Sequence, residues 1–317
     1  MDLLPRVREG GLLSGGEPVV VLLSGGRDSV CLLDLAVRLA GAERVEALHC
    51  DYGLRDGAAG DEAHCAALCA TLGVELHVRR PRRPGPAGNL QAWARDERYA
   101  AAAALALRRG GVVAAGHTAS DQVETVLYRL AASPGRRALL GMSAREGMLV
   151  RPLLGCTREE TAAHCAARGL AWREDPSNDA PRFARNRVRH ALLPALRALH
   201  PAADANVLRT LELLRDEAAV LDAVLDAALA AAGSPPATDA LLALPPAVRR
   251  LALQRLADGA AGGRAPAIGH RTDEVLALAE GGALDVGGGL RAEVCRGALR
   301  FGPSRGPAAP HRDRGAA

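Results

Sequence analysis

The first half of the chain alternates short apolar runs with longer segments whose apolar residues recur at helical spacing. Unbroken β-branched and aliphatic runs are typical of buried strands in a parallel sheet, and the segments between them are typical of covering helices. Strands are predicted at residues 19–23, 45–51, 74–78 and 111–115, and helices at 30–39, 60–72, 89–109 and 120–131. The pattern predicts an α/β fold with a doubly wound parallel sheet, whose ligands bind at the carboxyl ends of the strands.

After about residue 200 the chain becomes rich in Ala and Leu at helical spacing. A long helix is predicted at 203–232, shorter helices at 237–257 and 273–278, and a hairpin at 283–301 around Gly287-Gly288-Gly289. We therefore expect an N-terminal domain at residues 1–200, a smaller and mostly helical domain at 201–302, and a disordered tail at 303–317.

Composition narrows the classes of function. The net charge of +4 is mild, so it is compatible with an RNA partner without requiring one. The aromatic content of 2% argues against a wide stacking platform for single-stranded nucleic acid. All 40 basic residues are arginine, which excludes a Schiff-base lysine and a Walker-type lysine.

The seven cysteines are scattered and form no Cys-x-x-Cys pair. This usage favours reduced thiols in a cytosolic protein over a zinc site or a disulfide framework. The N-terminus lacks a signal-peptide pattern, and no apolar run reaches the length that spans a membrane. We therefore expect a soluble, cytoplasmic protein without a membrane partner.

The first predicted strand runs directly into a glycine-rich loop, Ser24-Gly25-Gly26-Arg27-Asp28-Ser29. The glycines let the backbone turn tightly and let a ligand approach, and the next helix presents unpaired N–H groups and its positive dipole end. The serine hydroxyls add donors. Asp28 is a poor direct ligand for phosphate and is expected to hold Mg²⁺ or to steer the loop. The loop is thus predicted to bind phosphate, although it matches neither the Walker A nor the Rossmann pattern.

Carboxylates and a histidine follow two of the other strands. Asp51 ends the second strand, where it suits Mg²⁺, a ribose hydroxyl or a plain Asp-x-Gly turn. His117 follows the fourth strand, and Asp121 and Glu124 share one face of the next helix. Two carboxylates beside a phosphate site require a cation, either Mg²⁺ or the ammonium of an amine substrate. The alternative is that they only complement the helix dipole.

Two arginine groups complete the candidate chemistry. Arg95 lies with Arg98 and Tyr99 on the long helix predicted at 89–109, and Arg185 opens a compact cationic run at 185–190. Each group suits either a solvated face or contact with phosphate and RNA backbone.

Together these motifs closely resemble those of the tRNA(Ile)-lysidine synthetases, a family of the N-type ATP pyrophosphatase (PP-loop) superfamily. The matching segments span roughly residues 19–196 in unbroken order. They are Ser24–Ser29, His49-x-Asp51-x-Gly53-Leu54-Arg55, Ala94-Arg95-x-x-Arg98-Tyr99, Gly116-His117-Thr118 with Asp121-x-x-Glu124-Thr125, Arg151–Leu154, and Asp175–Asn178 followed by Arg185-Asn186-Arg187.

The resemblance implies an adenine nucleotide alpha hydrolase-like domain at 1–200 and a tRNA-binding domain at 201–302. It implies that the C2 oxygen of the wobble cytidine in the CAU-anticodon tRNA(Ile) attacks the α-phosphate of ATP, with Mg²⁺ present, and releases pyrophosphate. The ε-amine of free L-lysine then displaces AMP, and the tRNA changes from Met to Ile specificity.

The resemblance also assigns site residues. The implied nucleotide-binding residues are Ser24, Gly25, Gly26, Arg27, Asp28, Ser29 and Asp51, with Asp28 as the Mg²⁺ ligand. The implied catalytic residues are Asp28, Arg95, His117, Asp121, Glu124 and Arg185. In this assignment the histidine and the two carboxylates of the helix predicted at 120–131 shape the pocket for lysine and cytidine. The two arginines stabilise charge at the transferring phosphate.

Other classes of function stay open at this point. A PP-loop tRNA thiolase usually carries paired cysteines, and a small-molecule AMP-forming synthetase has less use for the arginine groups. An ATP-sensing binding module leaves His117, Asp121 and Glu124 unexplained. The assembly state, monomer or homodimer, is also left open.

Overall fold

The structure, a computed structural model, describes residues 2–53, 58–82, 85, 90–132, 135–174, 184–263, 265–266 and 268–304, except for the side chains of residues 137 and 138. The chain divides into two compact units, one ending at Leu214 and the other beginning at Arg215. The domain boundary predicted after residue 200 stays a prediction. The predicted tail lies outside the described residues from residue 305 onward.

Strands and helices alternate through the first unit, which confirms the four predicted strands and four predicted helices to within a few residues. The strands are β1 (Val19–Leu22), β2 (Val45–Cys50), β3 (Glu75–Arg79), β4 (Val112–Ala114), β5 (Arg145–Glu146) and β6 (Leu149–Val150). The helices are α1 (Leu4–Glu9), α2 (Arg27–Ala40), α3 (Ala58–Leu72), α4 (Leu90–Arg109), α5 (Ala119–Ala132), α6 (Arg136–Leu139), α7 (Arg158–Ala167), α8 (Ala184–Arg187) and α9 (Leu193–Leu199). A π-helical turn, Val188–Leu192, joins α8 to α9.

The six strands form one sheet in the order β3-β2-β1-β4-β6-β5. Strand β1 is central and pairs in parallel with β2 and β4, so Val19 lies opposite both Val45 and Val112. The sheet is parallel except at one edge, where the short β5 runs antiparallel to β6. The predicted parallel sheet is confirmed, with this antiparallel edge as an addition that the sequence pattern did not indicate.

Apolar residues cover both faces of the sheet, because successive side chains of a strand point to opposite sides. Val19 and Val21 pack with buried residues of α2 such as Leu32 on one face. Val20 packs on the other face with Ala102 and Leu105 of α4, in a second cluster. A doubly wound fold has such a core on each face of its sheet. Because β1 and β4 pair in parallel, their carboxyl ends lie side by side.

A long helix, α10 (Ala203–Ala232), contains the point at which the two units divide. It is followed by α11 (Thr238–Leu242), α12 (Pro246–Ala260), α13 (Thr272–Leu276), β7 (Ala283–Gly287), β8 (Leu290–Cys295) and β9 (Ala298–Pro303). The predicted hairpin at 283–301 is incomplete as a description, because these three strands form one antiparallel sheet, β7-β8-β9. Leu241, Leu253, Ile268 and Leu299 are at most 1% exposed in its core.

Among the described helices, none has both the length and the apolar character needed to cross a bilayer.

Candidate active site

The glycine-rich loop, residues 24–29, is held in shape by its own hydroxyl groups. The Ser29 hydroxyl donates to the Gly26 carbonyl at 2.8 Å and lies 3.1 Å from the Ser24 hydroxyl. The backbone N–H groups of Ser24 and Gly26 donate to Ser29 Oγ and Ser24 Oγ. The N–H groups that open α2 have no acceptor within the helix, so they and the helix dipole make this end an anion site.

Gly25 is required by both its conformation and its surroundings. Its φ is +81°, in the left-handed region, and an added Cβ would lie 3.3 Å from Cys65 Sγ and 3.4 Å from His64 Cδ2. Its carbonyl accepts a hydrogen bond from the backbone N–H of Arg173 at 2.9 Å. The Arg173 side chain in turn binds Asp61 at 2.6 Å, so this arginine braces the loop against α3. Sequence reasoning missed Arg173.

Asp28 lies in the first turn of α2, and its side chain is 21% exposed. Its Oδ1 accepts hydrogen bonds from the Thr161 hydroxyl at 2.5 Å and from Arg27 Nε at 3.2 Å. Its Oδ2 has no hydrogen-bond partner among the described residues. A carboxylate oxygen left available beside an anion site is the type of ligand that Mg²⁺ prefers, so Asp28 fits the predicted metal-binding role.

Asp51 follows β2 and closes the Asp-x-Gly turn that the sequence left as its alternative role. Its Oδ1 accepts from the Gly53 N–H at 2.8 Å. The residue also lines a small open cavity with Ala59, Glu62 and Arg80. Its nucleotide-binding role stays a prediction.

Asp121 and Glu124, the carboxylate pair of α5, are 7% and 1% exposed. Three guanidinium groups surround them, and we call Arg158, Arg185 and Arg189 the arginine cluster. Asp121 Oδ1 accepts from Arg158 and Arg185, both at 2.9 Å. Glu124 accepts from all three arginines, at 2.7 to 3.1 Å.

The carboxylate pair has no acceptor capacity left. Asp121 Oδ2 is taken by the N–H and the hydroxyl of Thr118, at 2.8 and 2.9 Å. Each carboxylate therefore accepts four hydrogen bonds, which is about the full capacity of the group. Three guanidinium groups against two carboxylates leave one positive charge in excess. The cation that the sequence argument required is thus supplied in this structure by the chain itself.

The same contacts set the pKa values of the pair. Burial acts to raise the pKa of Asp121, but the charges of Arg185 and Arg158 outweigh it and the pKa lies below its usual value. Burial likewise acts to raise the pKa of Glu124, and hydrogen bonding to Arg189 with the charges of the cluster brings the pKa below its usual value. Both groups are therefore carboxylates at neutral pH.

His117 lies between the loop and the carboxylate pair. The preceding Gly116 makes this possible, because a Cβ there would lie 3.1 Å from backbone atoms of Asp28. The His117 Nδ1 is buried and has no hydrogen-bond partner among the described residues. Burial lowers the pKa of His117 to about 4, against the opposing charge of Asp121. The imidazole is neutral at pH 7 and has a ring nitrogen available to a ligand.

Among the described residues, Arg95 has no hydrogen bond or ion pair with another predicted site residue. Its guanidinium stacks over the Tyr99 ring at 4.8 Å, and Arg98 approaches the same ring at 5.5 Å. Its charge nevertheless contributes to the lowered pKa of His117. Two motif segments, at 54–55 and 175–178, lie outside the described residues.

Besides Arg173, the structure adds Arg158 and Thr161 to the site, and it gives Arg189, which the sequence placed only within the cationic run at 185–190, a direct contact with Glu124. Arg189 could have been found, because it is four residues after Arg185 and therefore on the same helical face. Arg158 lies within a capping box at the start of α7, in which Thr157 Oγ1 accepts from the Glu160 N–H, and Thr161 directly follows it. Nothing in that local pattern indicates which distant residues they contact.

Comparisons with known proteins agree with this geometry. The profile of a family described as a PP-loop domain matches residues 8–196. The chain is 39% identical over 251 residues to the tRNA(Ile)-lysidine synthase of Pseudomonas putida, covering 74% of this chain and 58% of the relative. It is 39% identical over 252 residues to the Thermobifida fusca synthase, covering 77% and 78%. The Salinispora arenicola synthase is 39% identical over 303 residues, covering 88% and 89%.

The lengths of these relatives differ. The chain spans 58% and 50% of the synthases from Pseudomonas putida and Pseudomonas fluorescens. Among solved structures, the U34-tRNA thiolase NcsA from Methanococcus maripaludis is similar with a TM-score of 0.55 and 15% identity, covering 67% of this chain and 78% of the thiolase. This last similarity concerns the fold alone.

Proposed function

The chain belongs to the tRNA(Ile)-lysidine synthase family, and from this premise we propose that it joins free L-lysine to C2 of the wobble cytidine in the CAU-anticodon tRNA(Ile). In the proposed reaction the cytidine C2 oxygen attacks the α-phosphate of ATP and pyrophosphate leaves. The ε-amine of lysine then forms a bond to C2, AMP leaves with the oxygen, and the amine loses its protons. The tRNA changes from Met to Ile specificity.

The observation that carries this proposal is the way one helix joins the two halves of the site. Thr161 of α7 contacts Asp28 beside the glycine-rich loop, and Arg158 of the same helix contacts both Asp121 and Glu124. A phosphate-binding loop and a buried charged pocket are thereby held next to each other. A reaction that activates one substrate with ATP and then delivers an amine needs this arrangement.

In this proposal the residues of the glycine-rich loop bind the nucleotide. Ser24, Gly25, Gly26, Arg27 and Ser29 would cradle the pyrophosphate, since they lie at the positive end of α2. Asp28 would hold Mg²⁺ through Oδ2, and the ion would neutralise phosphate charge when bound. Asp51 would bind the ribose with the oxygen that its turn leaves available.

The arginines stabilise charge at the reacting phosphate. Arg185 is the most exposed member of the arginine cluster, with 42% of its side chain exposed. It uses Nε and one terminal nitrogen on the carboxylate pair, and the other terminal nitrogen has no partner among the described residues. That nitrogen is available to a phosphate oxygen, and Arg95 would approach from α4.

Lysine binds at the carboxylate pair in this proposal. Because both carboxylates are saturated, an incoming ammonium must displace a guanidinium, and Arg185 is the one with the best access to solvent. The displaced Arg185 would then turn toward the phosphate. The neutral His117 would accept a hydrogen bond from the amine at Nδ1.

Incorporation of lysine into tRNA tests the whole proposal. Purified protein would be incubated with ATP, radiolabelled lysine and the CAU-anticodon tRNA(Ile) transcript, and acid-precipitable label would be counted. We expect label with the wild-type chain, none with Asp28→Ala, and none when the wobble C is changed to U. ATP cleavage without label would contradict the choice of lysine and direct attention to sulfur or ammonia.

The lysine pocket has its own test. Asp121→Asn keeps the size of the side chain and removes its charge, so we expect the KM for lysine to rise about tenfold or more while the KM for ATP changes little. Steady-state kinetics with each substrate varied in turn would measure both values. An unchanged KM for lysine would show that Asp121 only anchors the arginine cluster.

Membership of this family also suggests a role for the predicted C-terminal domain and a place in the cell where the protein acts. We propose that residues 201–302 help dock the tRNA and that the protein acts in the cytoplasm, where tRNA is modified. Binding of the tRNA should weaken as salt rises, because neutralising phosphates releases counterions.

A further inference from the structure

Thr161 is a fully buried hydroxyl residue that connects α7 to the nucleotide-binding loop. It is 0% exposed, and its Oγ1 lies 2.5 Å from Asp28 Oδ1 and 2.9 Å from the carbonyl of Arg158. A threonine hydroxyl has a single proton to donate. Of its two possible acceptors, the carboxylate of Asp28 is both nearer and stronger than the carbonyl of Arg158. Thr161 therefore donates its proton to Asp28, across 133 residues of sequence.

Other contacts hold α7 against α2 without this hydroxyl. Asp34 of α2 accepts hydrogen bonds from His164 at 2.9 Å and from Arg168 at 3.2 Å. Asp34 and His164 are each 1% exposed. Cys165 of α7 also packs in the core cluster that contains α2. The position of the helix is thus fixed by several side chains, and the Thr161 hydroxyl adds only the contact with Asp28.

Asp28 is left with one oxygen for a ligand as a result. Thr161 and Arg27 occupy Oδ1, while Oδ2 has no hydrogen-bond partner among the described residues. A carboxylate held by one oxygen cannot rotate freely, so its second oxygen keeps a single direction. Preorganisation of this kind lowers the entropy lost when a ligand binds.

We propose that Thr161 is a positioning residue that fixes the Asp28 carboxylate so that Oδ2 is presented to the Mg²⁺ that ATP brings with it. The proposal rests on the nucleotide-binding role of the loop given above, and it names a residue of α7 as part of that site. Thr161 does not touch the nucleotide and acts only through Asp28.

Two substitutions at one position isolate the hydroxyl. Thr161→Val keeps the branched shape and removes the donor, and Thr161→Ser keeps the donor. Isothermal titration calorimetry with ATP and Mg²⁺ would give the dissociation constant for each variant. We expect Thr161→Val to bind about tenfold more weakly than the wild type, as for a lost hydrogen bond to a charged group, and Thr161→Ser to restore the affinity.

A double-mutant cycle separates positioning from general stability. In an Asp28→Ala background, Thr161→Val should cause no further loss of affinity, because the hydroxyl then has no carboxylate to orient. Thr272 provides a matched control, since its buried hydroxyl donates to the Gly269 carbonyl at 2.8 Å in the second unit. Thr272→Val should leave ATP affinity unchanged.

The outcomes distinguish this inference from the proposed function. Wild-type affinity in Thr161→Val, or an equal loss in the Asp28→Ala background, would overturn the role of Thr161 and leave the proposed reaction intact. A wild-type chain that does not bind ATP would overturn both. If thermal melting shows that Thr161→Val does not fold, Thr161→Ala makes the same comparison.

Discussion

The glycine-rich loop and the arginine cluster lie close together but are built in opposite ways. In the loop, the contacts between Ser24, Gly26 and Ser29 join residues at most five positions apart. In the cluster, Arg185 reaches Asp121 across 64 residues and Arg189 reaches Glu124 across 65. The hydrogen bonds inside the loop come from its own short sequence, with Arg173 and Thr161 supporting it from elsewhere in the chain. Each ion pair of the cluster, by contrast, joins distant segments of the chain.

The two regions also differ in the type of interaction they use. Within the loop, the hydrogen bonds among Ser24, Gly26 and Ser29 are neutral, and each contributes about 1 kcal/mol to the free energy of unfolding. The cluster contains buried charges, and removing one member leaves the others without compensation. We therefore expect changes in the cluster to affect the stability of the entire first unit, and changes to local devices to have small effects.

The largest effect is expected for Glu124→Gln. This residue is 1% exposed and accepts hydrogen bonds from three arginines, so the substitution removes the one carboxylate charge that all three guanidinium groups contact. We expect the free energy of unfolding to fall by about 3 kcal/mol, the lower end of the range for broken buried pairs, because the arginines are partly exposed. Urea unfolding followed by circular dichroism would measure the change.

Glu17→Gln is the control for this comparison. Glu17 pairs with Arg145 at 2.9 Å, and the two side chains are 36% and 48% exposed. An exposed pair contributes about 0–1 kcal/mol, so this variant should unfold almost as the wild type does. Equal losses for Glu17→Gln and Glu124→Gln would refute the view that burial distinguishes the cluster.

An intermediate effect is expected from pH, which acts on the region around the cluster through His117. The pKa of His117 is about 4 in the folded chain against an ordinary 6.5, chiefly because of burial. Between these values the unfolded chain binds a proton that the folded chain does not, so stability falls as the pH is lowered. From pH 7 to pH 5 this group should cost about 2 kcal/mol. Urea unfolding at both pH values would test it.

His117→Gln should remove about 2 kcal/mol of that pH dependence. Asp121 and Glu124 do not interfere with this measurement, because their pKa values lie below the ordinary 3.8 and 4.5. Their contribution to the free energy of unfolding is therefore lost only at lower pH. The exposed His200 gives a control, and His200→Gln should behave as the wild type. If His117→Gln kept the full pH dependence, another group would be responsible.

The fold could be predicted where a strand or helix is long enough to show its own pattern. The apolar runs of β1, β2 and β4 are buried and show as strands, and β3 shows as a strand although its residues are only half-buried or exposed. Strands β5 and β6 have two residues each, too few for any periodicity. The predicted hairpin at 283–301 included most of β9 but did not distinguish it as a third strand.

In the site, too, local features could be predicted from the sequence and long-range contacts could not. Contiguous residues, such as those of the glycine-rich loop and the Thr157–Glu160 capping box, could be recognised because their spacing is itself the mechanism. Arg158 and Thr161 could not, since their partners are set by how α7 packs on α2 and α5. The sequence also indicated that Asp121 and Glu124 need a cation, but not that three arginines of the chain provide it.

The smallest effect is expected for the capping box of α7, a local device that sits beside the long-range contacts. Thr157 Oγ1 accepts a hydrogen bond from the Glu160 N–H at 3.2 Å, and the Glu160 carboxylate accepts one from the Thr157 N–H at 2.8 Å. Thr157→Ala should lower the free energy of unfolding by about 1 kcal/mol, and Thr157→Ser should recover most of it. Thermal and urea unfolding would measure both. ATP affinity should stay unchanged, because Asp34 and His164 still hold the helix. A clear loss of ATP affinity in Thr157→Ala would mean that the local cap controls where Arg158 and Thr161 lie, and the separation between local and long-range parts of the site would fail.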